Sequence, residues 1–331
     1  MTPEETWFES DDGTKLFLRR WPPVPDAKPR AALHIVHGMA EHGLRYQRTA
    51  EKFAGAGIEV WAADQRGHGK TADLNVNGPG RGGLPGHCAD TGGFERVTAD
   101  VYAINQKIRG VRPGIPLFLM GHSWGSFIVQ DYIEQYDKAG GLIDGCVLSG
   151  TRGPGGFKVK MGIPLMTLFA ALWGRRQGSL LARAVADGPY NKPFSPNRTS
   201  FDWLSRDEAE VDAYAKDPCS GRLCSTGFYR DLMKGLYKIH RRQAMARIRK
   251  ELPVCVFSGS ADPVGEMGAS PTALVNEYRS LGITDLEFTL YPDARHETLN
   301  ETNRGEVMDN LLSWIDRHTA GGAAGRAGEG A

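Results

Sequence analysis

The sequence predicts an α/β fold: a mostly parallel central sheet with helices on both faces and a helical insertion between two strands. Three observations predict it. Short apolar runs recur along the chain and alternate with stretches of helical spacing. Several of these runs, 31–36 and 117–120 among them, are apolar without alternation, as strands buried on both faces are. The alternation stops over 151–251, which is helix-rich and strand-poor, and then resumes.

The elements follow in order. Strands at 6–10 and 15–21 turn at Asp11-Asp12-Gly13. The strand 31–36 ends at His37-Gly38, helical spacing over 46–56 stops at Gly57, and the next strand is 58–63. Residues 75–93, rich in Gly and Pro, read as a loop before a helix at 94–108. The strand 117–120 runs into a helix at 126–133 with a strong apolar side. Further strands lie at 145–148, 254–257 and 286–290, and an amphipathic helix covers 306–318. Residues 1–150 and 252–318 therefore form the core, 151–251 a helical cap, and the Gly/Ala-rich stretch 319–331 a disordered tail.

Composition narrows the function. Lys plus Arg number 40 against 39 Asp plus Glu, so the formal charge is +1 and no global field draws nucleic acid. The five cysteines, Cys88, Cys146, Cys219, Cys224 and Cys255, have no Cys-x-x-Cys spacing. They read as free thiols in a reducing compartment, with neither a disulfide framework nor a zinc site. The first residues, Met1-Thr2-Pro3-Glu4-Glu5-Thr6, lack the basic and apolar regions of a signal peptide. The longest apolar window, 161–173, is roughly 13 residues, short of the ~20 that a spanning helix needs. The expected location is cytoplasmic.

The chemistry gathers around Gly121-His122-Ser123-Trp124-Gly125, a Gly-x-Ser-x-Gly pattern between a strand and a helix. A serine there stands on a tight turn that needs small neighbours, here Gly121 and Gly125. Its hydroxyl needs a base to take its proton and an acid to orient that base. Asp262 follows the strand 254–257 and His296 follows the strand 286–290, so both reach the sheet edge that carries Ser123. Asp293, on the His296 loop, is the nearest rival to Asp262. The order Ser123, Asp262, His296 is that of an α/β-hydrolase. Acyl transfer also needs donors for a developing oxyanion. The backbone N–H groups of Trp124, at the start of a helix, and of Met39, in the loop after 31–36, are the candidates.

His37-Gly38-Met39-Ala40-Glu41-His42 with Arg45-Tyr46, then Asp64-Gln65-Arg66-Gly67-His68-Gly69, then Gly121-His122-Ser123-Trp124-Gly125, resemble the monoacylglycerol lipase / lysophospholipase branch of the α/β-hydrolase superfamily. This branch is grouped with serine aminopeptidase-like hydrolases, and the resemblance spans about residues 5–318. It implies a serine hydrolase with a helical cap over the pocket, no cofactor, and a small-molecule ester or lipid as substrate. Two departures stand out: Trp124 where many relatives have methionine, and Ser126 where many have glycine. The Trp124 ring is expected near the acyl site, narrowing or reshaping it.

Other features are weighed beside these. The apolar run 161–173 reads equally as a lid that touches an acyl chain or a membrane surface and as a helix packed on the core. The basic run His240-Arg241-Arg242 with Arg247, Arg249 and Lys250 reads as a solvated helix face, with a phosphate-headgroup site as the alternative. Phe201 and Trp203 read as packing residues at the pocket mouth. Two other functions fit the same fold. One is a proline-iminopeptidase-like aminopeptidase, for which Glu208, Glu210 and Asp212 would bind the substrate amine. The other is a non-catalytic ligand-binding protein, disfavoured by the intact triad. Acyl length, headgroup and oligomeric state are not legible in the chain.

Overall fold

The apolar runs fold into one eight-stranded sheet: β1 (Glu4–Glu9), β2 (Lys15–Trp21), β3 (Ala31–Val36), β4 (Ile58–Asp64), β5 (Leu117–His122), β6 (Gly145–Ser149), β7 (Val254–Gly259) and β8 (Leu286–Tyr291). The structure is a computed structural model that describes residues 1–23, 28–138, 141–186 and 188–326. Spatial order is β1-β2-β4-β3-β5-β6-β7-β8. The joins β1–β2 and β2–β4 are antiparallel, and every join from β4 to β8 is parallel. This is the expected α/β-hydrolase sheet.

Period-two alternation divides the central strands between two cores. Leu117 and Leu119 point into one, and Phe118 and Met120 into the other. The first core is closed by α2 (Gly93–Val111), α3 (Trp124–Gln135) and later by α9 (Ala269–Ser280). The second is closed by α1 (Gln47–Gly55) and α10 (Arg304–Arg326). Each large apolar side chain fully buried in this way contributes about 1.5–3 kcal/mol.

Among the described residues between β6 and β7 there is no strand. That stretch carries α4 (Gly156–Trp173), α5 (Leu180–Ala186), α6 (Glu208–Lys216), α7 (Thr226–Ile239) and the short α8 (Arg242–Met245). The apolar run 161–173 lies in α4, one side of which is packed and the other exposed. Met166, Phe169 and Ala170 of α4 are buried, while Met161, Leu168, Leu172 and Trp173 are exposed. α7 starts cleanly because the Ser225 hydroxyl accepts the Phe228 N–H at 3.1 Å.

Two differences from expectation appear. α9 follows Gly268, whose φ is +86°, and carries Pro271 in its first turn. Its start signal is therefore local backbone geometry rather than apolar spacing. The closing helix also runs on past His318 to Arg326, so the stretch expected to be disordered from 319 is helical that far. The Thr319 hydroxyl donates to the Ile315 carbonyl at 2.8 Å, and the sequence beyond is rich in alanine, the best helix former. The rest of that stretch, 327–331, lies outside the described residues.

Candidate active site

Ser123 stands between the end of β5 and the start of α3 with φ 52° and ψ −122°, a strained conformation for a residue with a side chain. Its N–H donates to the Ser149 carbonyl at 2.9 Å, which ties the turn to β6. It is partly exposed while its neighbours His122 and Trp124 are buried.

The β7 and β8 loops deliver the other two members. Asp262 is fully buried and its Oδ2 lies 3.0 Å from His296 Nδ1. Its carboxylate also accepts from the Val264 N–H at 2.8 Å and the Ser258 hydroxyl at 3.1 Å. The two loops cross so closely that a Cβ on Gly259 would lie 1.9 Å from the Ala294 carbonyl oxygen, so only glycine fits there. The rival, Asp293, is exposed at a turn with φ 57° and does not meet the imidazole. The His296 ring lies 4.7 Å from that of His122, beside the serine.

Burial disfavours the imidazolium of His296. Asp262, its hydrogen bond, and the nearby Glu297 and Glu41 outweigh that and raise the pKa above the usual 6.5. Burial likewise works to raise Asp262, and the partnership with His296 lowers it below the usual value. His122, buried and facing His296, is pushed down to about 4 and stays neutral. His296 Nε2 is buried and has no hydrogen-bond partner among the described residues. In unliganded sites the nucleophile–base bond is often long and tightens only with substrate.

The loop after β3 reaches the same place. A Cβ on Gly38 would stand 3.2 Å from that of Ser123, so Met39, the next residue, borders the serine. Ala40 is held at φ 56°. The loop is braced by Glu41, which accepts from the Gly38 N–H at 2.5 Å and the Tyr46 hydroxyl at 2.9 Å. Arg45 then bridges Glu41 at 2.7 Å and, through both η nitrogens, Glu297 at 2.6 and 2.7 Å. Burial raises both carboxyls, but Arg45 first and nearby histidines after it hold Glu41 at about 2 and Glu297 below its usual value. Trp124 opens α3, so its N–H is among the first helical donors, which lack a partner within the helix.

The Trp124 ring, expected near the acyl site, is turned into the core: it is 2% exposed, stacked on His68 at 5.2 Å and edge-on to Phe228 at 5.0 Å. The core draws it inward because His68 and Phe228 offer it apolar faces. The side chain that does meet the base is Trp203, whose ring lies 5.1 Å from that of His296. Its stretch is bound to the histidine loop: Glu297 N–H donates to the Leu204 carbonyl at 2.7 Å, and Arg206 pairs with Glu301 at 2.9 Å. Beyond Trp203 lies an open cavity of about 560 Å³, lined by Leu180, Arg183, Asn191 and Phe201 among others. Trp203 is the packing residue expected at the pocket mouth, whereas Glu297 carries no signal in sequence, since it belongs to no local pattern. Among the described residues no cluster of three or more His, Cys, Asp or Glu could hold a metal ion.

The chain is similar to known hydrolases. A monoacylglycerol lipase of Mycolicibacterium smegmatis is 29% identical over 96% of this chain and 98% of its own length. A monoglyceride lipase of Homo sapiens is 27% identical over 93% and 89% respectively. A thermostable carboxyl esterase from Bacillus coagulans, solved with glycerol, superposes with a TM-score of 0.85 at 26% identity, covering 96% of this chain and 99% of that one. The model of the family described as serine aminopeptidase, S33, matches residues 27–303, and the chain belongs to that family of α/β-hydrolases.

Proposed function

We propose that the protein is a serine hydrolase of carboxylic esters, working through an acyl-enzyme on Ser123. The observation that carries this reading is the buried Asp262–His296 pair held beside a serine on a strained strand-to-helix turn. Ser123 Oγ attacks the acyl carbonyl while His296 Nε2 takes its proton. Asp262 holds the ring by Nδ1 and stabilises the imidazolium. The N–H groups of Met39 and Trp124 receive the oxyanion. His296 passes its proton to the departing alcohol. It then deprotonates water, which attacks the acyl carbon, and gives that proton to Ser123 Oγ as the bond to the acyl group breaks and the acid leaves.

The favoured substrate is a single-chain lipid ester of the monoacylglycerol or lysophospholipid type. The monoacylglycerol lipases among its relatives support this choice, as does the cavity behind Trp203. The helices over the site act as a cap. The exposed Met161, Leu168, Leu172, Trp173 and Leu180 form a face suited to brief contact with a lipid surface. Among the described residues, no helix is long and apolar enough to cross a membrane. Five free cysteines suit work in the cytoplasm. The aminopeptidase alternative is disfavoured by its own candidates: Glu210 pairs with Arg48 at 2.7 Å, and Asp212 and Glu208 pair with Arg198.

The test is turnover of p-nitrophenyl butyrate and laurate and of a monoacylglycerol, with proline-β-naphthylamide as the amide control. Ester turnover abolished in Ser123→Ala, together with fluorophosphonate labelling of the parent alone, is expected. Undiminished ester hydrolysis by Ser123→Ala would sink the mechanism.

A further inference from the structure

We propose that a cleft at the far end of α3 binds a small phosphate-bearing oxyanion. The cleft, of about 210 Å³, is lined by Glu134 and Gln135 at the end of α3, Lys238 at the end of α7, and Arg241, Gln243 and Arg247 around α8. It is separate from the catalytic residues: Glu134 stands eleven positions beyond Ser123, about 16 Å away at 1.5 Å per helical residue.

The neighbouring basic residues are engaged elsewhere. Arg242 pairs with Glu277, and Arg249 pairs with Asp137 at 2.8 Å. Lys250 donates to the Ala246 carbonyl at 3.1 Å, and His240 meets the Arg152 carbonyl at 3.2 Å. Arg241 and Arg247 have no acidic partner among the described residues; Arg241 donates to Gln243 Oε1 at 3.1 Å. Both face the cleft, while Lys238 is held by Asp131 at 2.9 Å.

The carboxyl group between them is the second observation. Glu134 is 2% exposed, and its Oε1 has no hydrogen-bond partner among the described residues. Burial first, and then Asp131, push its pKa up to about 10 against the pull of Lys238 and Arg247. This favours the neutral carboxyl at pH 7, with Oε1 left without a partner among the described residues. The carbonyl ends of α3 and α7 account for cations nearby. They do not account for a buried carboxyl that stands beside those cations without pairing. An anion with several oxygens satisfies all three groups: it accepts from Glu134 and from two guanidinium forks. The space exceeds the ~10–15 Å³ that one water needs and falls below the ~300 Å³ of drug-sized sites.

The test is calorimetric titration of the whole protein with inorganic phosphate, using chloride as control. The parent is expected to bind phosphate. The Arg241→Ala/Arg247→Ala double variant, both sites exposed, is expected to bind at least about tenfold more weakly and to keep ester turnover. Sedimentation with phosphatidylcholine vesicles, with and without phosphatidic acid, separates the sources. Binding dependent on phosphatidic acid and on the two arginines assigns a lipid headgroup, and phosphate binding without it assigns a soluble phosphate. No heat beyond the chloride control, or equal affinity in the double variant, overturns the proposal.

Discussion

Replacing Arg45 with methionine tests how the site is held together. The side chain keeps much of its apolar stem but loses the cation, so Glu41 and Glu297 remain buried and unpaired. Breaking a buried ion pair by removing one partner costs about 3–5 kcal/mol. For 331 residues the unfolding entropy is about 0.7 kcal/mol per kelvin, so Tm should fall by about 4–7 °C near pH 7. The pH dependence follows from the sign of the shifts. Both carboxyls are depressed in the folded parent, so their stabilisation is present above pH 4.5 and is lost as pH falls toward about 2. In the variant, burial without Arg45 raises them instead. The deficit should therefore be largest at neutral pH, begin to shrink above pH 4.5 as the variant's raised carboxyls take up protons, and go on shrinking below it as the parent loses its own stabilisation. Scanning calorimetry from pH 8 to 4, with Arg45→Met/Glu297→Gln beside the single variant, measures this. The double variant should recover part of the loss, because it removes one stranded charge. A loss under about 1 kcal/mol, or one constant across pH, would refute the account of Arg45 as the counter-charge for both acids.

Other substitutions read separate parts of the site. Asp262→Asn should lower kcat for p-nitrophenyl butyrate by about 10⁴ with little change in KM. In the parent, kcat/KM should fall as pH drops through a value above 6.5, since His296 must be neutral to accept the proton and its pKa is raised. Residual activity of Asp262→Asn should show that inflection moved to lower pH, and an unmoved inflection would assign it to another group. Gly259→Ala forces a methyl against the Ala294 carbonyl and should separate the two loops. An offset of about 1 Å costs about 10²-fold in rate, so unchanged kcat would contradict the crossing described here. Trp124→Met should lower Tm while leaving the ratio of butyrate to laurate turnover unchanged. A changed ratio would return the ring to the acyl site.

What could be read in the sequence was what lies on one strand or its flanking turn. Ser123, Asp262 and His296 each follow a short apolar run, and a parallel sheet collects the ends of such runs at one edge. What could not be read depends on segments distant in the chain. Arg45 and Glu297 are 252 residues apart, and nothing near either one announces the other. The Trp124 ring is another case. Its position beside the nucleophile is local, but its direction is set by His68 and Phe228, from opposite sides of the chain's middle. A motif thus fixes where a backbone goes, and packing decides where a large side chain turns.

The triad itself is held by two different parts of the molecule. Asp262 is fixed within the core: its oxygens take hydrogen bonds from Val264 and Ser258, on its own loop and strand. The His296 loop is fixed largely by the inserted segment. His296 N–H donates to the Trp203 carbonyl, Glu297 N–H to the Leu204 carbonyl, and Ser205 Oγ to the Asn300 carbonyl. Arg295 donates to the Asp202 and Ser205 carbonyls, and Arg206 pairs with Glu301. Residues 202–206 and the His296 loop are thus tied to one another, while Asp262 and Ser123 are tied to the sheet. Trp203 alone of this stretch also borders the open cavity, so the residue whose carbonyl holds the His296 N–H is one wall of that space.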